Sequence, residues 1–526
     1  MNQSKEPSRQ IRILWTDDEI EVLKPHIIFL NSKGYLVDTC TNGNDALDLV
    51  RTNNYDLIFL DEHMPGLSGL ETLAMIKQIR RDIPVIMITR SEEEAIMDAA
   101  IGSEIADYLI KPVKPAQIIL AIRKNTEHRR LVTEKTTTDY LASFNQLGTR
   151  IATAGSINEW YDVYRKLVYW QTELRKSSDA GLREVLDAQI LEANNSFSRF
   201  ITASYLKWFG QASSDDKPLL SPSVLQQKVF PLLKAGKPLF FIVIDNLRYD
   251  QWRTISPLIS EYYRIAGEDF YTSILPTATQ YARNALFSGL MPATIKEKMP
   301  EYWIADDDEE GKNNYEDKLL GSHLGRLGLN IRWAYEKLLN NHEARRFNEK
   351  HRSYLNYDLV SLVYNSVDML SHSRTEAEVM KELAADDEAY CSVTHSWFIH
   401  SPLNELLKSL AEAGLTVVLT TDHGNVRVKN PLKIVGDRST SPNLRYKLGR
   451  NLAYNPREVF EIANPKSAGL PAPNISSKFI FATGNDYLVY QNNFNHYAAY
   501  YNDTIQHGGI SLHEMICPLV TLEPLK

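Results

Sequence analysis

Hydrophobic and polar positions along the 526-residue chain change rhythm twice, and each rhythm predicts a different architecture. From residue 11 to about 125, short apolar runs alternate with amphipathic stretches, the pattern of repeated βα units. Strands are expected at 11–15, 36–40, 57–60, 85–89 and 107–110. Helices are expected between them at 22–30, 46–50, 70–79 and 95–100, with a last one from 116 to about 130. Five strands and five helices in that alternation predict a doubly wound, flavodoxin-like parallel sheet. A charged, Thr-rich stretch at 126–139 reads as a helix extension or linker, and from 140 to 210 apolar residues recur at spacings of three and four. Trp160, Tyr164, Leu167 and Val168 form one such stripe; Leu186, Ile190, Ala193, Phe197, Phe200, Tyr205 and Trp208 form another. Gly155, Ser177, Ser178 and Gly181 punctuate the segment into three or more helices, a small bundle with aromatic core. The polar stretch 211–223 reads as a linker, so the bundle and linker together occupy 126–225. From 226 to 526 the rhythm returns to short buried strands, at 239–244, 271–275, 359–367 and 415–421, with a further apolar run at 479–482.

Length and composition narrow the reading further. The chain is too long for a single core. Its 43% hydrophobic and 24% charged residues are ordinary for a globular protein, and a net charge of −8 argues against bulk nucleic-acid binding. Residues 126–225 contain no helix-turn-helix with a basic recognition face, so direct DNA reading is not expected. Cys40, Cys391 and Cys517 lie far apart and form no CxxC pair, which fits a reducing compartment. The polar residues 1–10 are expected to be disordered, and no stretch is apolar enough for a membrane span. The protein is read as cytoplasmic.

In the first repeat region, polar residues fall where a doubly wound sheet places its chemistry. Asp17 and Asp18 end the first strand, Asp61 the third, Thr89 the fourth and Lys111 the fifth. Three carboxylates converging on one pocket repel unless a hard cation such as Mg²⁺ joins them. With Lys111 and Thr89 at its rim, such a pocket suits a carboxylate that accepts a phosphoryl group. Asp17–Asp18, Asp61 followed by Met64–Pro65–Gly66, Thr89, Tyr108 and Lys111–Pro112 together resemble a response-regulator receiver domain, over residues 11–125. The resemblance implies phosphorylation of Asp61 by a sensor histidine kinase. It implies Mg²⁺ held by Asp17, Asp18, Asp61 and the His63 carbonyl, and a switch formed by Thr89 and Tyr108 beside Lys111.

The C-terminal region repeats the strand-end theme. Asp245 and Arg248 follow the strand at 239–244, and Thr279 stands at a strand-to-helix turn, where a helix N-terminus favours a bound phosphate. Asp368 and His372, four residues apart, can share a metal, and Asp422–His423 and His507–Gly508–Gly509 add further donors. These ligands suffice for two metal sites, and two cations can clamp a phosphoryl centre and ionise a hydroxyl nucleophile. Other histidines of the region, His395, His400, His496 and His513, have no such neighbours and are read as structural or surface residues.

The ordered set DNLRYDQW, PTATQYARNALFSG, DMLSH, TTDHG and QHGGIS resembles the PglZ-type branch of the alkaline phosphatase superfamily over about three hundred residues. That resemblance implies Thr279 as the nucleophile bridging two metals. Asp245, Asp422 and His423 would hold one, and Asp368, His372 and His507 the other. Arg248, Arg283 and Asn284 are candidate substrate contacts. Zinc suits the His-rich set, with Mn²⁺ the alternative.

The whole arrangement, α/β multidomain with a helical bundle between, resembles PorX-type response regulators of type IX secretion in Bacteroidota. It implies a phosphorylation-controlled hydrolase, with phosphodiesters of nucleotides or oligonucleotides favoured as substrate. Negative charge added at Asp61 beside Thr89 would bias the receiver toward another packing, and a phosphorylation-promoted homodimer through the face bearing Tyr108 is expected. The competing expectation is a signalling adaptor whose metal domain binds a ligand, a sigma factor or a secretion component with little turnover.

Overall fold

The computed structural model describes residues 10–89, 105–175, 180–210, 217–234, 236, 238–304, 313–369, 384, 386–437 and 440–525. The disorder expected before residue 10, the helix expected at 95–100 and His372 lie outside the described residues. The chain divides into two compact units, residues 1–141 with 176–179, and residues 142–175 with 180–526.

In the first unit, strands β1 (Arg12–Thr16), β2 (Leu36–Cys40), β3 (Leu57–Asp61), β4 (Val85–Thr89) and β5 (Asp107–Ile110) form one sheet. Its order is β2-β1-β3-β4-β5 and every pairing is parallel. That is the flavodoxin-like order the alternating pattern predicts. Strands β3 and β4 are buried along their whole length, as a parallel sheet covered on both faces requires. Apolar side chains of Trp15, Leu30, Phe59, Ile118 and Ile122 pack one face; Leu14, Leu47, Leu73 and Ile76 pack the other. The helix expected from 116 to about 130 runs much further, as one element from Pro115 to Thr153.

In the second unit, the central sheet contains β6 (Leu239–Ile244), β7 (Tyr263–Thr272), β8 (Trp333–Leu338), β9 (Leu359–Tyr364) and β10 (Thr416–Thr420). Peripheral strands β11 (Val426–Arg427), β12 (Asn430–Ile434), β13 (Tyr446–Gly449), β14 (Val459–Ile462), β15 (Lys478–Ala482), β16 (Asp486–Tyr490) and β17 (Ile505–Gln506) make three small sheets. The last strand, β18 (Ile516–Pro524), returns to the centre, giving the order β7-β18-β10-β6-β9-β8. Strands β10, β6, β9 and β8 run parallel, while β18 is antiparallel to β10 and β7. Of the strand expected at 271–275 only 271 and 272 are extended, as the last residues of Tyr263–Thr272, and that expected to reach 367 stops at Tyr364, after which a helical turn carries Asp368.

Helices Ile157–Arg175 and Ala180–Ser204 belong to this second unit and pack directly on its loops. Ser156 and Glu159 close a reciprocal cap at the start of the first, satisfying amides that the helix leaves unpaired. Trp160 and Phe197 meet edge to face between them, as the sequence stripes require. Tyr164 reaches further, with its hydroxyl 2.8 Å from His513 Nδ1. Tyr205 accepts the Leu275 amide at 2.7 Å, and Asn194 accepts the Leu512 amide at 2.9 Å. Burial first, and then the neighbouring Arg248 cation, push the His513 pKa down to about 4.

Tyr164→Phe strips a partner from a buried ring nitrogen. A loss of about 1–3 kcal/mol in unfolding free energy is expected by chemical denaturation. An unchanged value would mean that His513 finds another partner.

Candidate functional sites

The receiver pocket forms at the carboxyl ends of β1, β3 and β5. Asp17 and Asp61 are buried and Asp18 is exposed, yet one carboxylate oxygen from each lies within 4.8 Å of the others. Lys111 Nζ bridges two of them, at 2.8 Å from Asp17 Oδ2 and 2.9 Å from Asp61 Oδ1. Burial alone would lower the Lys111 pKa, but the two carboxylates carry it above its ordinary value. Asp61 is pushed up by burial and by Asp17, against the pull of Lys111. Thr89 is buried at the end of β4, its carbonyl accepting the Lys111 amide at 2.8 Å. Tyr108 is 47% exposed on β5, and His63 is exposed just past β3. Three acidic groups in one cleft fit a hard divalent cation such as Mg²⁺.

The second site is assembled by strand register. Val243 pairs with Thr420 across β6 and β10, so Asp245 and Asp422, each two residues further on, emerge side by side. Asp245, Asp422 and His423 are buried and place one ligand atom each within 4.8 Å of one another. Each carboxylate has one oxygen engaged and one left over. Asp245 Oδ2 receives Arg283 Nη1 at 3.0 Å, and Asp422 Oδ1 receives the His423 and Asn246 amides at 3.2 and 3.4 Å. Asp245 Oδ1 and Asp422 Oδ2 are buried with no hydrogen-bond partner. Burial lifts the Asp245 pKa well above the carboxylate range; Arg283 opposes this, and the charges of Asp422 and Asp368 add to it. Two orphaned carboxylate oxygens beside an imidazole are the donor set a transition-metal cation takes, so the residues fit the implied metal.

Backbone carbonyls set the histidine tautomers. His423 Nδ1 lies 3.1 Å from the Gly424 carbonyl, and His507 Nδ1 lies 3.2 Å from that of Thr277. A carbonyl only accepts, so Nδ1 carries a proton in both rings, and a neutral ring so held offers its lone pair at Nε2. The rings stack with centroids 4.4 Å apart. Thr279 opens the helix Thr279–Ser288, with its Oγ1 3.1 Å from His423 Nε2. Thr277 is committed elsewhere: it donates to the Gly509 carbonyl at 2.8 Å and accepts the Gly508 amide at 3.2 Å. Asp368 accepts the Asn246 side-chain amide at 3.0 Å. Asn246 itself holds a left-handed φ of 65°, which lets the chain turn sharply after Asp245.

The three residues expected to touch substrate are placed differently. Arg248 is fully buried, its guanidinium bound to Asp250 and 3.1 Å from Asp387. Arg283 is buried between Asp245 and Glu316, and Asn284 is buried in the same helix. All three side chains are buried. Glu316 escaped the sequence reading altogether, since an acidic residue in a helical first turn has no distinguishing local pattern. Behind the His507 loop, Glu514 accepts the Gly509 amide at 2.9 Å and pairs with buried Arg445 at 2.7 Å.

Among the described residues, no helix is long and apolar enough to cross a membrane. Residues 13–123 match the response regulator receiver domain, and residues 130–209 match the PorX response regulator linker domain. Residues 224–522, more than half of the chain, match the BREX system PglZ alkaline phosphatase-like domain. The probable transcriptional regulator ycf27 of Cyanidium caldarium is 32% identical over 199 residues, covering 38% of this chain and 75% of that protein. The transcriptional regulatory protein ResD of Bacillus subtilis (strain 168) is 32% identical over 116 residues, covering 22% of this chain and 48% of that protein. The chain spans about half the length, or less, of most of the curated relatives it matches. The chemotaxis protein CheY4 of Vibrio cholerae, a solved structure, is 22% identical with a TM-score of 0.21, covering 22% of this chain and 98% of that one. A receiver domain implies a histidine kinase as partner, and both matched domain types generally use divalent metals. Receiver, linker and phosphatase-like domain follow one another in the PorX-type order. The chain belongs to the PglZ alkaline phosphatase-like family, here carried behind a response-regulator receiver.

Proposed function

We propose that the protein is a response regulator phosphorylated on Asp61, whose output domain is a metal-dependent phosphodiesterase with Thr279 as nucleophile. The observation that carries this reading is the Thr279 hydroxyl, 3.1 Å from His423 Nε2 and beside two buried, unpartnered carboxylate oxygens. Asp245, Asp422 and His423 would hold one metal, and Asp368, His372 and His507 a second; zinc suits the imidazoles, with Mn²⁺ the alternative. Bound there, the metals neutralise phosphoryl oxygens and lower the pKa of a bound hydroxyl.

The chain's own residues do the rest. The helix N-terminus at Thr279 directs backbone amides toward a bound phosphate. Carbonyl hydrogen bonds keep the His423 and His507 rings in the tautomer that presents Nε2. Thr279 Oγ1 loses its proton and bonds to phosphorus while the bond to the leaving alcohol breaks, and that alcohol takes up a proton. Water then displaces Thr279 from the phospho-threonine, releasing a phosphomonoester and restoring the hydroxyl. Diesters of nucleotides or oligonucleotides fit best, because a Thr nucleophile without a further cationic clamp suits a monoanionic centre. Burial of Arg248 and Arg283 in ion pairs adds to that argument, since neither is free to bind a dianion. In the receiver, Asp17, Asp18, Asp61 and the His63 carbonyl would hold Mg²⁺, and Thr89 and Tyr108 would report the phosphate beside Lys111. The regulated process on this reading is type IX secretion of the Bacteroidota kind, in the cytoplasm.

A second reading, a signalling adaptor that binds a ligand, sigma factor or secretion component, is favoured by the structural integration of the linker helices with the output domain. On that reading, regulatory output survives loss of the Thr279 hydroxyl.

Thr279→Ala should abolish hydrolysis of bis-p-nitrophenyl phosphate, by at least about 10³-fold, while elemental analysis finds the metals retained. Thr277→Val should cost about 1–3 kcal/mol of stability yet keep measurable turnover, because its hydroxyl only ties down the Gly508–Gly509 loop. The opposite ranking of the two variants would reassign the nucleophile. Light scattering with and without an acyl-phosphate donor should show a phosphorylation-promoted dimer through the receiver face bearing Tyr108. Asp61→Asn should stay monomeric, and an unchanged wild-type mass would count against the dimer.

A further inference from the structure

Resting on the metal-dependent reading above, a buried guanidinium decides which oxygen of Asp245 a cation can use. Arg283 lies one helical turn after Thr279, so both project from the same side of the helix Thr279–Ser288. Its side chain is 1% exposed. Nη1 lies 3.0 Å from Asp245 Oδ2, while Nε lies 3.3 Å from Glu316 Oε1 and 3.7 Å from Asp422 Oδ2. Glu316 is itself 1% exposed and 3.3 Å from Lys337 Nζ, which also donates to the Asn313 carbonyl at 2.7 Å. The guanidinium is therefore flanked on two sides by buried carboxylates, and swinging its fork away from Asp245 would leave that buried carboxylate without its cationic partner. The consequence is visible at Asp245: Oδ2 is occupied and Oδ1 is buried without a hydrogen-bond partner.

The geometry points to Arg283 as a positioning residue that forces Asp245 to bind its metal through one oxygen, and so selects a small cation of low coordination number. Zn²⁺ takes about four N, O or S ligands, each carboxylate commonly through one oxygen. Ca²⁺ takes about six to eight oxygens and readily uses both oxygens of a carboxylate. An Asp245 with one oxygen committed to a cation satisfies the first demand and frustrates the second. The fixed positive charge also removes one unit of the negative charge that oxygen-rich sites rely on for hard ions. Local sequence carries no sign of this role, because it depends on which way a helix face turns.

The test is a competition titration of Zn²⁺ and Ca²⁺ on the full-length, chelator-stripped protein, comparing wild type with Arg283→Met, Arg283→Lys and Glu316→Gln. Arg283→Met should lose about 10- to 100-fold in Zn²⁺ affinity, and the Zn²⁺/Ca²⁺ affinity ratio should fall with it. Arg283→Lys keeps the charge but not the fork, so its ratio should also fall, by less. Glu316→Gln should shift the ratio in the same direction by freeing the guanidinium. A merely structural role would lower the unfolding midpoint of the metal-free protein and leave the ratio unmoved, which overturns the inference. Should Arg283→Met fail to fold, the ratio for Arg283→Lys decides the matter. A wild-type protein that binds neither ion would overturn the metal-dependent reading itself, and this inference with it.

Discussion

Carboxylates gathered at the ends of parallel strands repel one another, and both sites of this protein are built around that fact. In the receiver, Asp17 and Asp61 approach closely enough for one ammonium, Lys111, to span them. In the phosphatase-like domain, strand register brings Asp245 and Asp422 together inside the protein, and a guanidinium, Arg283, answers them. The desolvation of a carboxylate without such a partner is severe, which is why each cluster carries its own resident cation. In the second site the resident cation is not enough. One buried oxygen on Asp245 and one on Asp422 remain without a hydrogen bond, so the arrangement is complete only with a further positive charge.

Orientation in the second site comes from the main chain. Carbonyls of Gly424 and Thr277 fix the two imidazoles, and amides of His423 and Asn246 fix Asp422. A site whose ligands are aimed by backbone is only as well placed as its loops. Those loops are pinned from behind by the helices that precede the domain: Tyr205 holds the Leu275 amide ahead of Thr279, and Asn194 holds the Leu512 amide beyond His507. Glu514, one turn further, holds the Gly509 amide. The helical segment from Ala142 onward thus works as part of the output domain's frame, with the buried Tyr164–His513 hydrogen bond among its contacts. Any displacement of these helices would be felt first at the turn before Thr279 and at the glycines after His507.

Much of this was legible in the sequence, for a definite reason. A parallel strand buried on both faces reads as an apolar run, and the residue that ends the run is where chemistry sits. Asp17, Asp61, Asp245 and Asp422 each follow such a run, so their place at a strand end needs no knowledge of partners. The helical stripes of Trp160, Tyr164 and Phe197 are read the same way, from local period alone. Which strand end meets which is another matter. Asp245 and Asp422 become neighbours through the pairing of Val243 with Thr420, and that register exists only once the sheet has formed. The direction of a helix face is equally non-local: Arg248 and Arg283, legible as cations near a site, turned inward to Asp387 and Asp245, where a substrate contact was expected. Sequence alone therefore determined the first unit's strands, the core parallel strands that carry the terminal carboxylates, and the order of the domains, because these follow from local periodicity. The tertiary structure decided the pairing of the carboxylates, the histidine tautomers and the inward turn of the arginines, because each depends on a partner distant in the chain.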